Sequence, residues 1–357
     1  MSISLDLFKV LLPAVVTFAI GLIVSGPLID TLKRHQIWKK KSVKNSIDGQ
    51  IATITSTLHN DEERKLLRMG GAVVWISVFT TTAIFLVLSH GFPTAITQKL
   101  DFISRNQTWL PLVAMFVGAI VGGLDDLLVV EAFKGRLNSY IGGGLSFPVR
   151  LAAVGTLGVG MGLWFFYKLG VNSIYIPFYG DYIVGGLFFI AFFVLVTIAL
   201  FSTSVIDGVD GLSGGIFSAI YTAYGFIAFY QHQIDIAALC FMIVGGILAF
   251  LWFNVPPAVF MMAETGIMAL TLGLSVISFL TNAVMYLPII ALPLVITTGS
   301  VILQLTWKKL FKRKLFLVAP LHHHLEAKGW AKPQVTMRYW IVSYICATLG
   351  IVIVLIS

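Results

Sequence analysis

Charge is scarce in this sequence: Asp, Glu, Lys and Arg make up only 11% of its 357 residues, against roughly a quarter in soluble domains. So few charges cannot cover the surface of two or three water-soluble domains, and that division is excluded. Cysteine is nearly absent too. Cys240 and Cys346 both fall inside apolar windows, which argues against a disulfide framework and suits two small buried apolar side chains. Nucleotide-binding fingerprints are missing: there is no Walker loop and no Rossmann glycine pattern. Gly142-Gly143-Gly144 lies in a loop before an apolar run, without the preceding strand that either motif needs, and reads as a flexible hinge. No fixed-period repeat, low-complexity segment or pair of inverted halves is apparent, and the last of these is the usual mark of a secondary transporter.

What is abundant is apolar sequence, 58% of the chain. Windows of about 18 or more apolar residues recur along the whole length, so lipid is the solvent for most of it. The first run, Leu7 to Leu32, is too long for a signal-peptide core and has no basic segment before it, so it reads as a span. We expect an all-α integral membrane protein, a single polytopic unit over residues 1–357. About ten spans are expected, near 7–32, 69–90, 108–124, 147–168, 182–204, 211–230, 235–253, 265–281, 283–306 and 338–357.

The net charge of +8 does not point to nucleic acid, because the cations sit between spans and no nucleic-acid motif accompanies them. With the N-terminus outside, 20 of the 24 Lys and Arg residues fall in inner loops, leaving only Lys9, Lys99, Arg105 and Lys168 outside. The positive-inside rule therefore places both termini externally and the long basic loops in the cytoplasm. The polar stretch Trp38 to Asn60 reads as a mobile cytoplasmic loop, and the outer segments, such as Val171 to Gly180 and the Thr281-Asn282 turn, as short connections.

Acids beside membrane spans are costly and informative. In this topology Asp125, Asp126, Asp207, Asp210 and Glu264 all fall at cytoplasmic span ends. Any one could be a helix cap, but together they favour a polar cleft open to the cytoplasm. The adjacent Asp125 and Asp126 suit a base of raised proton affinity or a metal-facing pair. Asp207 and Asp210, three apart between glycines, are expected on one helical face, as Mg²⁺ ligands or as an N-cap with a second acid. Trp252-Phe253-Asn254-Val255-Pro256-Pro257 ends a span; Phe253 could stack on a base and Asn254 offers an amide, although an aromatic belt and helix stop would look the same. His322, His323 and His324 cannot all face one metal from a regular helix or strand, and they lack zinc spacing. Among basic residues they can donate to phosphate oxygens. The cations from Lys308 to Lys314 read as a stretch attracted to anionic lipid.

In combination these pieces resemble the polyprenyl-phosphate N-acetylhexosamine-1-phosphate transferases, and most closely their phospho-MurNAc-pentapeptide branch. The matching pieces are Met69-Gly70-Gly71, Asp125-Asp126, Gly144-Leu145-Ser146 with Arg150, Asp207 to Leu212, Leu251 to Asn254, Pro257 to Met261, Pro320 to His324, Lys328-Gly329-Trp330 and Arg338-Tyr339-Trp340. The resemblance implies ten spans in a bacterial inner membrane, a homodimer, Mg²⁺, a UDP-sugar donor and undecaprenyl phosphate as acceptor. It makes Asp125, beside Asp126, the base for the lipid phosphate, and Asp207 a second key aspartate. It makes Glu264, with Asp207 nearby, the metal carboxylate. Arg150, Asp210, Phe253, Asn254 and the three histidines become substrate-binding.

The chain departs from the pattern at several polar positions. Met262-Ala263-Glu264 stands for a Gly-Asp, with one residue inserted; Arg150 and Val129 stand where lysines are usual; Leu66-Leu67-Arg68 replaces Thr-Pro-Thr; Ser204 replaces an asparagine. These departures leave open a related UDP-HexNAc transferase, or an impaired homologue acting as a membrane scaffold. Carboxylates at one face rather than at mid-membrane disfavour a transporter.

Overall fold

The computed structural model describes residues 3–38, 66–101, 106–130 and 145–357. The Gly142-Gly143-Gly144 hinge and all of the 38–60 stretch beyond Trp38 lie outside these residues. The described elements are α1 (Ile3–Arg34), α2 (Ala72–Gly91), the short α3 (Ala95–Leu100), α4 (Asn106–Val129), α5 (Phe147–Lys168), the hairpin strands β1 (Ser173–Ile176) and β2 (Gly180–Ile183), and α6 (Gly186–Phe201). They continue with α7 (Leu212–Tyr230), α8 (Ile234–Asn254), α9 (Ala263–Leu280), α10 (Leu287–Ile290), α11 (Leu292–Phe311), α12 (Leu321–Ala327) and α13 (Lys332–Ile356).

Among the described residues nine helices are long and apolar enough to cross a membrane, or ten if the bent pair Val284–Ile290 and Leu292–Phe311 counts as one span. The chain is an all-α, multi-pass membrane protein. The expected straight span at 283–306 is instead broken by 79°. Pro288 and Pro293 each stand at the start of a helical piece. A proline lacks the N–H that would continue the preceding turn and its ring clashes with that turn, so the helix restarts in a new direction. The outer connection expected at 171–180 also holds more structure than a loop. Ser173 pairs with Ile183 and Ile176 with Gly180 in an antiparallel hairpin, built from the β-branched and aromatic residues Ile174, Tyr175, Ile176, Tyr182 and Ile183.

Helices α7, α8 and α9 form the centre of the bundle, whereas α1, α5 and α13 turn most of their surface outward. Lipid is as apolar as leucine, so helices associate in a membrane through close packing at small residues. A Cβ on Gly245 would lie 2.3 Å from the carbonyl oxygen of Ala14, where α8 crosses α1. A Cβ on Gly122 would lie 2.2 Å from the carbonyl oxygen of Glu264, where α4 crosses α9. The second crossing sets the ends of α4 and α9 against one another and so brings Asp125, Asp126 and Glu264 together. Both ends of the described chain lie at the opposite end of the bundle. There Lys9 pairs with Asp235 at the start of α8, and Ser357 meets Tyr175 and Tyr286.

Candidate active site

Six stretches of chain converge at one end of the bundle: the end of α4, the start of α5, the 207–211 turn, the 254–264 connection, α12 and the segment before α2. The last of these runs beside the connection like a strand. Leu67 bridges Phe260, Gly70 N donates to Met261 O at 2.8 Å, and Gly71 N to Met262 O at 3.0 Å. This pairing fixes Arg68 against the start of α9.

Asp126 is fully buried. Its Oδ1 accepts from Arg68 Nη2 at 2.8 Å, Arg68 Nε at 3.2 Å and Glu264 N at 3.3 Å, and its Oδ2 accepts from Thr265 N at 2.9 Å. Three donors thus crowd Oδ1 and one engages Oδ2, so most of the carboxylate's acceptor capacity is committed to protein groups. Two of these donors are orphan N–H groups at the start of α9. Asp126 therefore caps α9 from a neighbouring helix, with Arg68 balancing its charge.

Its neighbour Asp125 is far less engaged. Oδ1 accepts from Leu145 N at 2.6 Å, and Oδ2 lies 3.6 Å from Arg150 Nη1. The same Arg150 nitrogen donates to Glu264 Oε1 at 3.0 Å. One guanidinium thus spans carboxylates from α4 and α9. Glu264 Oε2 and Arg150 Nε are both buried with no hydrogen-bond partner, an open acceptor and an open donor side by side. Asp207 accepts from Ser213 Oγ at 2.8 Å and from Ala263 N at 2.7 Å, which joins it to the residue preceding Glu264. Burial pushes its carboxyl above the ordinary carboxylate range, against the pull of the Ala263 and Ser213 hydrogen bonds.

Among the described residues no three His, Cys, Asp or Glu side chains form a closed metal cage. Mg²⁺ does not need one. It keeps much of its octahedral shell as water and phosphate oxygens and takes one or two protein carboxylates. The open oxygen of Glu264, with Asp207 beside it using only part of its lone-pair capacity, fits that requirement. Asp126 fits it less well, because it is fully buried, paired with Arg68 and engaged by four protein donors.

The expectation that Asp207 and Asp210 share a helical face is corrected. Residues 202–206 form a 3₁₀ turn and α7 begins only at Leu212, after Gly211 at φ 75°. Both aspartates therefore lie in the non-helical turn that joins the two elements, and the left-handed Gly211 after Asp210 closes that turn before the helix begins. Asp207 faces α9, whereas Asp210 Oδ2 accepts from Ala258 N at 3.1 Å. The turn is held by Asn254, whose Oδ1 accepts from Gly211 N at 2.9 Å and whose Nδ2 donates to Phe260 O at 2.7 Å. Asn254 is buried and acts first as a strut between two site loops. Phe253 leans on Phe260, with ring centroids 6.0 Å apart.

The histidine triplet divides. A Cβ on Gly208 would lie 2.9 Å from His322 Nε2 and 3.0 Å from His323 Nε2, so both rings reach the turn that carries Asp207. His323 Nδ1 lies 2.6 Å from Glu326 Oε2, which fixes the ring's direction. His324 turns away: its Nδ1 accepts from Leu317 N at 3.2 Å and its ring packs on Phe316. Two participants escaped the sequence reading as site residues. Arg68 offered only its place before Met69-Gly70-Gly71, and Glu326 only its spacing of three from His323, one helical turn away.

Residues 108–284 match glycosyl transferase family 4, a stretch that contains Asp125, Asp126, Arg150, Asp207 and Glu264. The phospho-N-acetylmuramoyl-pentapeptide-transferase of Listeria monocytogenes serotype 4b is 33% identical over 293 residues, 80% of this chain and 83% of the relative. That of Chloroflexus aurantiacus is 28% identical over 363 residues, 98% of this chain and 91% of the relative. That of Listeria innocua is 32% identical over 293 residues. With its multi-pass bundle and its cluster of carboxylates and guanidiniums at one end, the chain belongs to the phospho-N-acetylmuramoyl-pentapeptide-transferase family and is an enzyme that transfers a sugar-1-phosphate from a nucleotide-sugar donor to a polyprenyl phosphate.

Proposed function

We propose that the protein transfers phospho-MurNAc-pentapeptide from UDP-MurNAc-pentapeptide to undecaprenyl phosphate, giving lipid I and UMP, with Mg²⁺ and at the cytoplasmic face of a bacterial inner membrane. The observation that carries this reading is Arg150 between Asp125 and Glu264, with an open carboxylate oxygen and an open guanidinium N–H beside it. Such a pair suits a diphosphate together with its cation. The cytoplasmic orientation rests on the distribution of Lys and Arg, and the donor on the names of the relatives.

In this mechanism an oxygen of the acceptor phosphate attacks the donor's β-phosphorus, and the bond to the UMP oxygen breaks. Asp125 takes the proton when the acceptor phosphate arrives as its monoanion, and later returns it to water. Asp125 suits this role better than Asp126 because its lone pairs are largely open, whereas Asp126 is engaged by four protein donors, two of them from the Arg68 guanidinium. Arg150 holds phosphate oxygens through its free Nε–H. His322 and His323, against the Gly208 turn, contact the donor's phosphates. Glu264 and Asp207 would hold Mg²⁺, which when bound offsets charge on the transferred phosphoryl group. A membrane setting follows from the acceptor, whose tail stays in lipid while its phosphate meets a water-soluble nucleotide.

The test is UMP release by the purified full-length protein from UDP-MurNAc-pentapeptide plus undecaprenyl phosphate, with and without Mg²⁺. Release that requires both lipid and metal is expected. No release beside an active control enzyme would overturn the assignment, and release only from another UDP-HexNAc would overturn the donor.

A further inference from the structure

The second half of α11 has no place in the transfer chemistry. Its buried residues, Pro293, Leu294, Thr297 and Ser300, all lie in the first half. There Thr297 and Ser300 face α13 and α12, with Thr297 Oγ1 3.4 Å from Tyr339 Oη and Ser300 Oγ accepting from Leu321 N at 2.9 Å. Beyond Ser300 no residue of the helix is buried. Ile302, Leu303, Leu305, Leu310 and Phe311 are all exposed.

The chain then folds back along this projecting helix. Gln304 Oε1 accepts from Leu315 N at 3.1 Å and Phe316 N at 2.9 Å, and its Nε2 donates to Phe316 O at 3.2 Å. Residues 301–319 therefore form an arm with a defined shape. Its tip carries Lys308, Lys309, Lys312, Arg313 and Lys314, the last four of them exposed. No Asp or Glu occurs between Glu264 and Glu326, so these cations have no acid on their own arm. The returning segment adds exposed Leu315 and Leu317 and leads into α12, whose His322 and His323 reach the Gly208 turn. The arm thus lies at the active-site end of the bundle.

Exposed apolar side chains, interleaved with cations alone, match the boundary between acyl chains and anionic headgroups. We infer that the arm of residues 301–319 docks on the membrane surface at the active-site end, with its leucines and Phe311 in the acyl region and its cations on the headgroups of anionic phospholipid. Docking there would brace the segment that leads into α12. The arm would thereby link the bilayer's surface charge to the placement of His322 and His323.

The test uses the full-length protein carrying Leu310→Cys, with Cys240 and Cys346 replaced by alanine and an environment-sensitive dye on the new thiol. It is reconstituted into phosphatidylcholine vesicles with or without phosphatidylglycerol. The expected result is a blue shift and quenching by brominated acyl chains in the phosphatidylglycerol vesicles, reversed by high salt. Lys309→Gln, Lys312→Gln, Arg313→Gln and Lys314→Gln together should abolish the dependence on phosphatidylglycerol. The same dye at Tyr179→Cys, on the hairpin at the opposite end, should show no such dependence. Identical emission in both vesicle types would overturn the inference, as would a lipid dependence that survives the fourfold substitution. A shift produced by polyprenyl phosphate in neutral vesicles but not by phosphatidylglycerol would also overturn it, since the arm would then read the substrate and not the surface. No sugar donor is present in these measurements, so their outcome is independent of the proposed reaction.

Discussion

Arg150 Nη1 lies 3.0 Å from Glu264 Oε1 and 3.6 Å from Asp125 Oδ2, so a single guanidinium ties two carboxylates from different helices to one point. Removing it leaves two acids facing each other and deprives an incoming diphosphate of its bidentate partner. Arg150→Gln should lower kcat/KM by about two to three orders of magnitude, as the loss of a charge-stabilising donor does. Arg150→Lys should restore part of this, because charge returns without the fork geometry. Steady-state UMP release measures both.

Asp126 and Arg68 should behave as structural partners and Asp125 as a chemical group. Breaking a buried ion pair by removing one member costs about 3–5 kcal/mol, and Asp126 also caps α9. Asp126→Asn and Arg68→Gln should each lower the Tm in detergent. Their double variant should lose less than the sum, since both changes break one interaction. Asp125→Asn should keep the Tm and lose transfer. A stable Asp126→Asn variant would contradict the assignment.

Glu264→Gln should weaken metal binding, because the unpartnered Oε2 position loses its charge, while the amide oxygen can still accept from Arg150 Nη1 in place of Oε1. Titration with Mn²⁺ followed by electron paramagnetic resonance would show it directly, without substrate turnover.

Gly208→Ala should impair the histidine pair selectively. The new methyl would lie 2.9 and 3.0 Å from the two Nε2 atoms, and His322 is fully buried, so the rings must move. A rise in donor KM with a near-normal Tm is the expected signature.

The pKa of His324 lies below its ordinary value, through burial and then the nearby Lys328 charge. The folded protein therefore binds this proton more weakly than the unfolded chain. The associated stability is fully present above the unfolded pKa of about 6.5 and declines as pH falls below it. Replacing His324 with Gln should flatten the Tm profile across that interval, a small effect measurable by thermal scans in detergent.

Much of this architecture could be read from residues in order. Uninterrupted apolar runs announce helices in lipid because no other open segment satisfies its backbone there. Asp125, Asp207 and Glu264 stand out because an acid beside a span is expensive. The 79° break at α10 and α11 was present in Pro288 and Pro293, but hydropathy averages over a window and does not register direction. The hairpin at 173–183 was missed for a similar reason, since a short β-branched run between two spans looks like loop.

Composition and order by themselves determined that the chain is helical, crosses the membrane repeatedly, segregates its cations and carries its acids at span ends. These are local properties, set by the transfer free energy of each segment. Only the tertiary structure decided that Asp126 is engaged by Arg68 and the start of α9 while its neighbour Asp125 stays largely open. It alone separated Asp207 from Asp210 in the non-helical turn before α7, divided His324 from His322 and His323, and placed Arg150 across two helices. Those outcomes depend on which lone pairs and N–H groups meet across helix crossings far apart in sequence, and a hydrogen bond's direction is not encoded in either partner alone.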